Sequence, residues 1–247
     1  MRIEVLGKDC FRNSTLISEL LQLLAPSFEE PDLVLQRAME KSSRLYLGKD
    51  ATGRIISFFF CDFGSHLSVA GSPLPSLYLG LSGTLQELKA TGTVLPLYSL
   101  CIADAADLEA CIGKKLWIWG ATANTAVLRV VYKYMTSINP GPDGKFSSES
   151  RILAQALREY LKVPSSSSDH PFLLRRAFSG YRHTETEARR MQQTNRDDEF
   201  ALVRQLDIRN CEAVLFVGQI GRTLPPFHTR TQVKVVQPKD SLSASCY

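Results

Sequence analysis

The chain has 247 residues, 44% hydrophobic and 22% charged, with a formal net charge of +4. That is enough chain for one generous core at ordinary globular composition, and the mild charge argues against a dedicated nucleic-acid binder. No run approaches the roughly 18 apolar residues of a membrane span, so no membrane partner is expected.

Arg2–Leu6 reads as a short strand. Ser14 is placed to cap a helix carrying Leu16, Ile17, Leu20, Leu21, Leu23 and Leu24, which Pro26 stops. Pro31 opens a second helix that runs to about Lys41, with Glu30 and Asp32 near its positive end. Arg44–Gly48 and Arg54–Phe63 form a hairpin across Lys49–Gly53, and Phe58, Phe59 and Phe60 are expected in the core. Gly64–Pro75, with its glycines and prolines, reads as a polar connection.

Leu77–Ser82 is mostly apolar, as a strand buried on both faces would be. A polar interval, Gln86–Thr93, holds Lys89 and Gly92 and leads into a helix with Pro96 in its first turn, capped by Thr91 or Thr93. A strand that feeds a helix through a glycine loop aims unpaired backbone N–H groups at that loop, and such a helix start attracts phosphate. The helix continues or restarts over Ala105–Cys111, with Asp104 as a cap, and Gly113 ends it.

Leu116–Gly120 is a compact strand with two tryptophans. Thr122–Thr125 opens a helix reaching about Ser137, with Ala126, Val127, Val130, Val131 and Tyr134 on its apolar face and Arg129, Tyr132 and Lys133 elsewhere. Asn139–Gly144 is a loop, and Ser150–Lys162 a helix with Ile152, Leu153, Ala156, Leu157 and Tyr160 on one side. After a joint at Pro164–Ser168 come a strand at Phe172–Leu174 and Ala177–Phe178, a polar helix at Thr184–Gln193 and a strand at Glu212–Ile220. The six cysteines show neither a CxxC nor a metal-ligand spacing, so they read as small buried hydrophobes of a reducing, cytoplasmic protein.

This order of elements resembles the GNAT acyltransferase superfamily, from Arg2 to about Tyr134. Lys89-Ala90-Thr91-Gly92-Thr93-Val94 stands where that family has its pyrophosphate loop, Gln/Arg-x-x-Gly-x-Gly/Ala. Lys89 and Gly92 match in type and spacing, and Val94 replaces a small residue. Trp117–Gly120 followed by Asn124 is similar to the family's fifth strand and its asparagine, and Tyr132 lies eight residues beyond, near the position of a catalytic tyrosine. The resemblance implies an α/β (α+β) fold with a central, mixed, twisted sheet flanked by helices. The core would span residues 1–164, with an extended C-terminal segment at 165–236 and a mobile tail at 237–247. The two strands Leu77–Ser82 and Leu116–Gly120 would run parallel and part at one end.

The resemblance further implies acetyl-CoA or another acyl-CoA as co-substrate, no metal, and an amine acceptor, either a small molecule or a protein. A homodimer is allowed. Leu81, Ser82, Lys89, Ala90, Thr91, Gly92, Thr93, Val94 and Asn124 would hold the coenzyme. Tyr132, or Tyr134 after it, would protonate the leaving thiolate. The strand preceding the loop carries no acid, so Asp62 and His66 are the nearest candidates for the base, while Glu87 is expected in solvent. Two other readings compete with an active N-acyltransferase: a catalytically silent CoA-binding or interaction module, and a partner- or nucleic-acid-binding surface at Arg175–Arg190.

Overall fold

The computed structural model describes residues 1–69, 71–163, 170–175, 181–196 and 200–221, without the side chains of Ser65 and His66. The joint at 164–168, the pair Ala177–Phe178 and the stretch from 222 onward lie outside the described residues, as does the side chain of His66.

Among the described residues, eight strands form one mixed, mostly antiparallel sheet. β1 (Arg2–Gly7) pairs with β2 (Arg44–Lys49), which turns into β3 (Ile55–Val69). The turn is set by Asp50, whose carboxylate accepts from the Thr52 N–H, the Thr52 hydroxyl and the Arg54 N–H. Side chains alternate across a strand, so Leu45, Leu47, Phe58 and Phe60 meet α1 (Ser14–Leu24) and α2 (Pro31–Glu40) on one face. Tyr46, Phe59 and Cys61 enter the main core on the other face, with α3 (Leu95–Ile112) and α5 (Ser148–Tyr160). All three phenylalanines are fully buried, which is why Phe58–Phe60 reads as an unbroken apolar run.

Gly64–Pro75 is not a connection: β3 continues to Val69 and pairs antiparallel with β4 (Ser72–Thr84). Pro73 and Pro75 are tolerated because β4 gains its second neighbour only at Ser76, so the missing N–H groups cost no ladder bond on that side. β4 then runs parallel to β5 (Trp117–Thr122), which pairs on its other side with β8 (Ala213–Ile220). β8 also pairs with β6 (Met135–Asn139) and with the two-residue β7 (Leu173–Leu174).

The helices depart from expectation in four places. Asn13, not Ser14, caps α1 by accepting the Leu16 N–H. α3 is continuous to its left-handed cap at Gly113, and Asp104 sits inside it, accepting from the Tyr46 hydroxyl at 2.6 Å. α4 (Thr125–Tyr134) stops three residues short of Ser137, because Met135 becomes extended and pairs with Ile220. Its buried side chains are Thr125, Leu128 and Val131, while Ala126 is exposed. On α5 the buried face carries Leu153, Ala154, Leu157 and Arg158, leaving Ile152 55% exposed. Arg158 earns its place by donating to the Leu173 and Pro171 carbonyls, which ties the chain before β8 to this helix.

Candidate functional site

The parallel register of β4 and β5 ends at Leu79 and Gly120, although both strands continue. Two local features explain the parting. Opposite Phe60, between Leu79 and Ser82, β4 carries one residue more than β3, and such a bulge bends and twists its strand. Glycines stand at the point of divergence: a Cβ on Gly80 would lie 2.9 Å from the Phe60 carbonyl oxygen, and one on Gly120 2.8 Å from that of Leu79. Beyond that point β4 keeps β3 as its neighbour and turns its other edge to an opening.

That opening is a cavity of about 540 Å³, within the range of ligand pockets. Gly80–Thr84 of β4 form one wall, and Ala121–Asn124 with α4 form another. α2 and α6 (Glu185–Arg196) close it from the far side. Five cationic side chains reach it, Arg37, Lys41, Lys89, Arg129 and Arg190, against the carboxylates of Glu187 and Glu212. The balance favours an anionic ligand.

The loop between β4 and α3 borders the same cavity. Ala90 and Gly92 have φ of 66° and 81°, and the backbone N–H groups of Ala90, Gly92, Thr93 and Val94 make no hydrogen bond to the described residues. Adjacent N–H donors in such left-handed turns make a concave site for anions. Neither expected threonine caps α3: Thr91 donates to the Leu88 carbonyl and contacts the Thr93 hydroxyl, and the cap position is Val94, with no side-chain cap bond.

Of the residues expected around a coenzyme, Leu81, Ser82, Lys89, Ala90, Gly92, Val94 and Asn124 line this cavity, whereas Thr91 and Thr93 do not. Asn124 caps α4 by accepting the Ala126 N–H at 2.9 Å. Lys89 is already engaged: its ammonium meets the Ser27 hydroxyl and the Glu187 carboxylate, each at 2.8 Å. Burial would raise the pKa of Glu187, but hydrogen bonds from Arg190 and Lys89 outweigh it and hold the carboxyl below its usual value. Burial lowers the pKa of Lys89, and Glu187 opposes that shift.

The expected catalytic residues are not gathered here. The Tyr132 hydroxyl donates to the Pro140 carbonyl and its ring packs on Phe200, so it faces away from the cavity. Tyr134, at the end of α4, lies outside the cavity lining as well, and Lys133 sits over its ring. Asp62 on β3 stands across from Tyr78 and is not part of the lining. The rotation of α4 is the cause, since Thr125, Leu128, Val131 and Tyr132 turn inward and Ala126, Val127 and Val130 face the cavity. Glu87 is 61% exposed, opposite Arg54.

Residues that sequence reasoning passed over supply the rest of the lining. Tyr98 reaches Ser82 with its hydroxyl at 3.2 Å, and burial pushes its pKa up to about 12. Tyr181, His183, Glu187, Arg190 and Met191 come from the late segment. The only local signal for these was the Glu187/Arg190 spacing of a helical ion pair. Arg175, Arg189 and Arg190 meet Glu212, Glu185 and Glu187 respectively, so these three late arginines are paired with acids, while residues 176–180 of that surface lie outside the described residues.

No protein-family model matches the chain, and no curated protein does. Among solved structures it is similar to the GNAT family N-acetyltransferase YhbS from Escherichia coli in complex with CoA. The two are 16% identical over 53% of this chain and 68% of that one, with a TM-score of 0.36. It is similar also to a histone acetyltransferase HPA2-related structure from Corynebacterium glutamicum, 16% identical over 57% and 92% of the two chains, with a TM-score of 0.37. The AtaTR structure bound with AcCoA is 16% identical over 60% and 93%, with a TM-score of 0.39.

Proposed function

We propose that the protein binds an acyl-coenzyme A, acetyl-CoA in the simplest case, and transfers the acyl group to an amine. The observation that carries this reading is the parting of β4 from β5 into a cationic cavity beside the open N–H groups of Ala90, Gly92, Thr93 and Val94. An extended, amide-bearing arm is the ligand a strand edge recognises, and a diphosphate is the ligand a left-handed N–H loop recognises. Coenzyme A joins the two in one molecule. Gly92 matters because its φ of 81° and its lack of a Cβ leave the loop backbone open to a phosphate. The bulged stretch Gly80–Ser82 is the source of an N–H donor for the oxyanion that forms as the amine attacks the thioester.

A catalytically silent coenzyme A-binding module is the second reading, favoured by the Tyr132 hydroxyl lying on the Pro140 carbonyl. Calorimetry with acetyl-CoA and turnover against an amine panel separate the two. Gly92→Glu adds bulk and negative charge in the loop and should weaken acetyl-CoA binding at least tenfold, about 1.4 kcal/mol. Equal binding by this variant and wild type would put the diphosphate elsewhere. Binding without turnover on any amine would leave the silent module.

A further inference from the structure

We infer that His183 is the general base of this reaction, its Nε2 taking the proton from the attacking amine; the inference rests on the acyl-donor reading above. His183 comes from the late segment, yet it is fastened to the connection between α1 and α2. The Glu29 N–H donates to the Arg182 carbonyl, the Thr184 N–H to the Ser27 carbonyl, and the His183 N–H to the Arg209 carbonyl, at 3.0, 3.0 and 3.2 Å. The imidazole lies on Phe28 with ring centroids 4.7 Å apart. Both the ring and its backbone are therefore held in place beside the cavity it lines.

The hydrogen bond at Nδ1 decides which nitrogen is basic. Nδ1 is 3.2 Å from the Ser27 carbonyl oxygen. A carbonyl only accepts, so Nδ1 must carry the hydrogen, and the lone pair of the neutral ring stands on Nε2. Nε2 makes no hydrogen bond to the described residues.

The charged groups around the ring come from every element packed on it: Lys89 from the loop before α3, Glu187 and Arg190 from α6, Glu29 after α1, and Arg209 with the Cys211 thiol before β8. Burial lowers the pKa below 6.5, against the pull of the Ser27 carbonyl and Glu187 and with the push of Lys89 and Arg190. The ring is then neutral at pH 7. Three other groups of the cavity are spent. Glu187 is tied to Lys89 and Arg190, Glu212 accepts from the Asp207 N–H and Arg175, and the Tyr98 phenol titrates far above neutrality.

In the step itself, the amine lone pair forms a bond to the thioester carbonyl carbon, and one N–H proton passes to Nε2. The C–S bond then breaks with its electron pair on sulfur. The thiolate takes up the proton, directly or through water, and the neutral imidazole is restored as amide and free thiol leave.

His183→Asn tests the role, because the asparagine amide can still donate toward the Ser27 carbonyl but offers no basic nitrogen. Expected are a fall in kcat/KM of about a hundredfold or more with acetyl-CoA affinity unchanged, and loss of the acidic limb of the pH–rate profile. Turnover close to wild type, or an acidic limb that stays put, overturns the assignment. Imidazole ¹⁵N spectra of the wild-type protein give a second arm that needs neither turnover nor a stable variant. His183 should be the neutral Nδ1–H tautomer at pH 7, and an Nε2–H tautomer or an imidazolium overturns the role. Absence of acetyl-CoA binding by wild type overturns the acyl-donor reading and this role with it, whereas the asparagine and tautomer results bear on the role alone.

Discussion

Two ion pairs on α6 give a contrast that tests how this helix is held. Glu187 lies between Lys89 and Arg190, with side-chain exposures of 6% for the acid and 14% for the lysine. Glu185 and Arg189, on the same helix, are 68% and 71% exposed. Replacing Glu187 with Gln leaves two cations facing a neutral amide. Breaking a fully buried pair from one side costs about 3–5 kcal/mol, and an exposed pair is worth about 1 kcal/mol or less. Arg190 is 32% exposed and Lys89 keeps the Ser27 hydroxyl, so the expected loss falls between these limits, about 2 kcal/mol. In a chain of this size that is a drop in Tm of roughly 4–8 °C. Glu185→Gln should cost about 0.5 kcal/mol or less, and Lys89→Gln about 1 kcal/mol, since Glu187 then retains Arg190. Thermal melts of the three variants in low and high salt provide the assay, and the Glu187 deficit should persist in salt because a buried pair is poorly screened. Equal melting of the Glu187 and Glu185 variants, or a larger loss from Lys89→Gln, would refute the reasoning.

Gly120→Ala should cost about 1–3 kcal/mol in urea unfolding, as the added Cβ would lie 2.6 Å from the Phe216 ring; wild-type stability would mean that the strands are not so closely set where they part. Stability should also depend on pH through His183. Its folded pKa is lowered from 6.5, so the unfolded chain binds the proton more readily, and this contribution is present above 6.5 and lost as pH falls through the folded value. Melts between pH 7.5 and 5.5 should show the decline in wild type and a flatter profile in His183→Asn. Glu187, whose pKa is lowered from 4.5, should add a separate loss below that value.

Where the chain is buried on both sides, composition alone was informative. Leu77–Ser82, Leu116–Gly120 and Phe58–Phe60 read as strands because both faces meet apolar neighbours. The loop from Lys89 to Val94 and the strand ends beside it were legible for the same local reason, a glycine turn between a strand and a helix. Local signals failed where a distant partner decides. Gly64, Pro73 and Pro75 look like breakers until β3 and β4 are seen to pair beyond the edge of β5. Met135–Ser137 reads as the end of a helix until β8 offers it an edge. The rotation of α4 cannot be read from a period shared by Val127, Leu128, Val130 and Val131, and this put Tyr132 on the wrong side. His183 and Glu187 reach the cavity through contacts with Ser27, Phe28 and Lys89, across separations no local pattern spans.

The position of β8 bears on how the molecule is made. It is the last strand described, yet it fills the gap between β5 and β6, and residues 123–212 separate it from the strand it completes. During synthesis the N-terminal strands can assemble as they emerge, but the outer edge of β5 must wait for Ala213–Ile220, and among the described residues β6 has no other neighbour in the sheet. A nascent chain thus carries Trp117–Thr122, an apolar strand with two tryptophans, as an open edge through much of its elongation. Closure of the sheet is a late event of high sequence separation, which slows folding and leaves the unfinished chain prone to association. The waiting strand is the one that forms a wall of the cavity, so the cavity takes its final shape only when the far end of the sheet arrives.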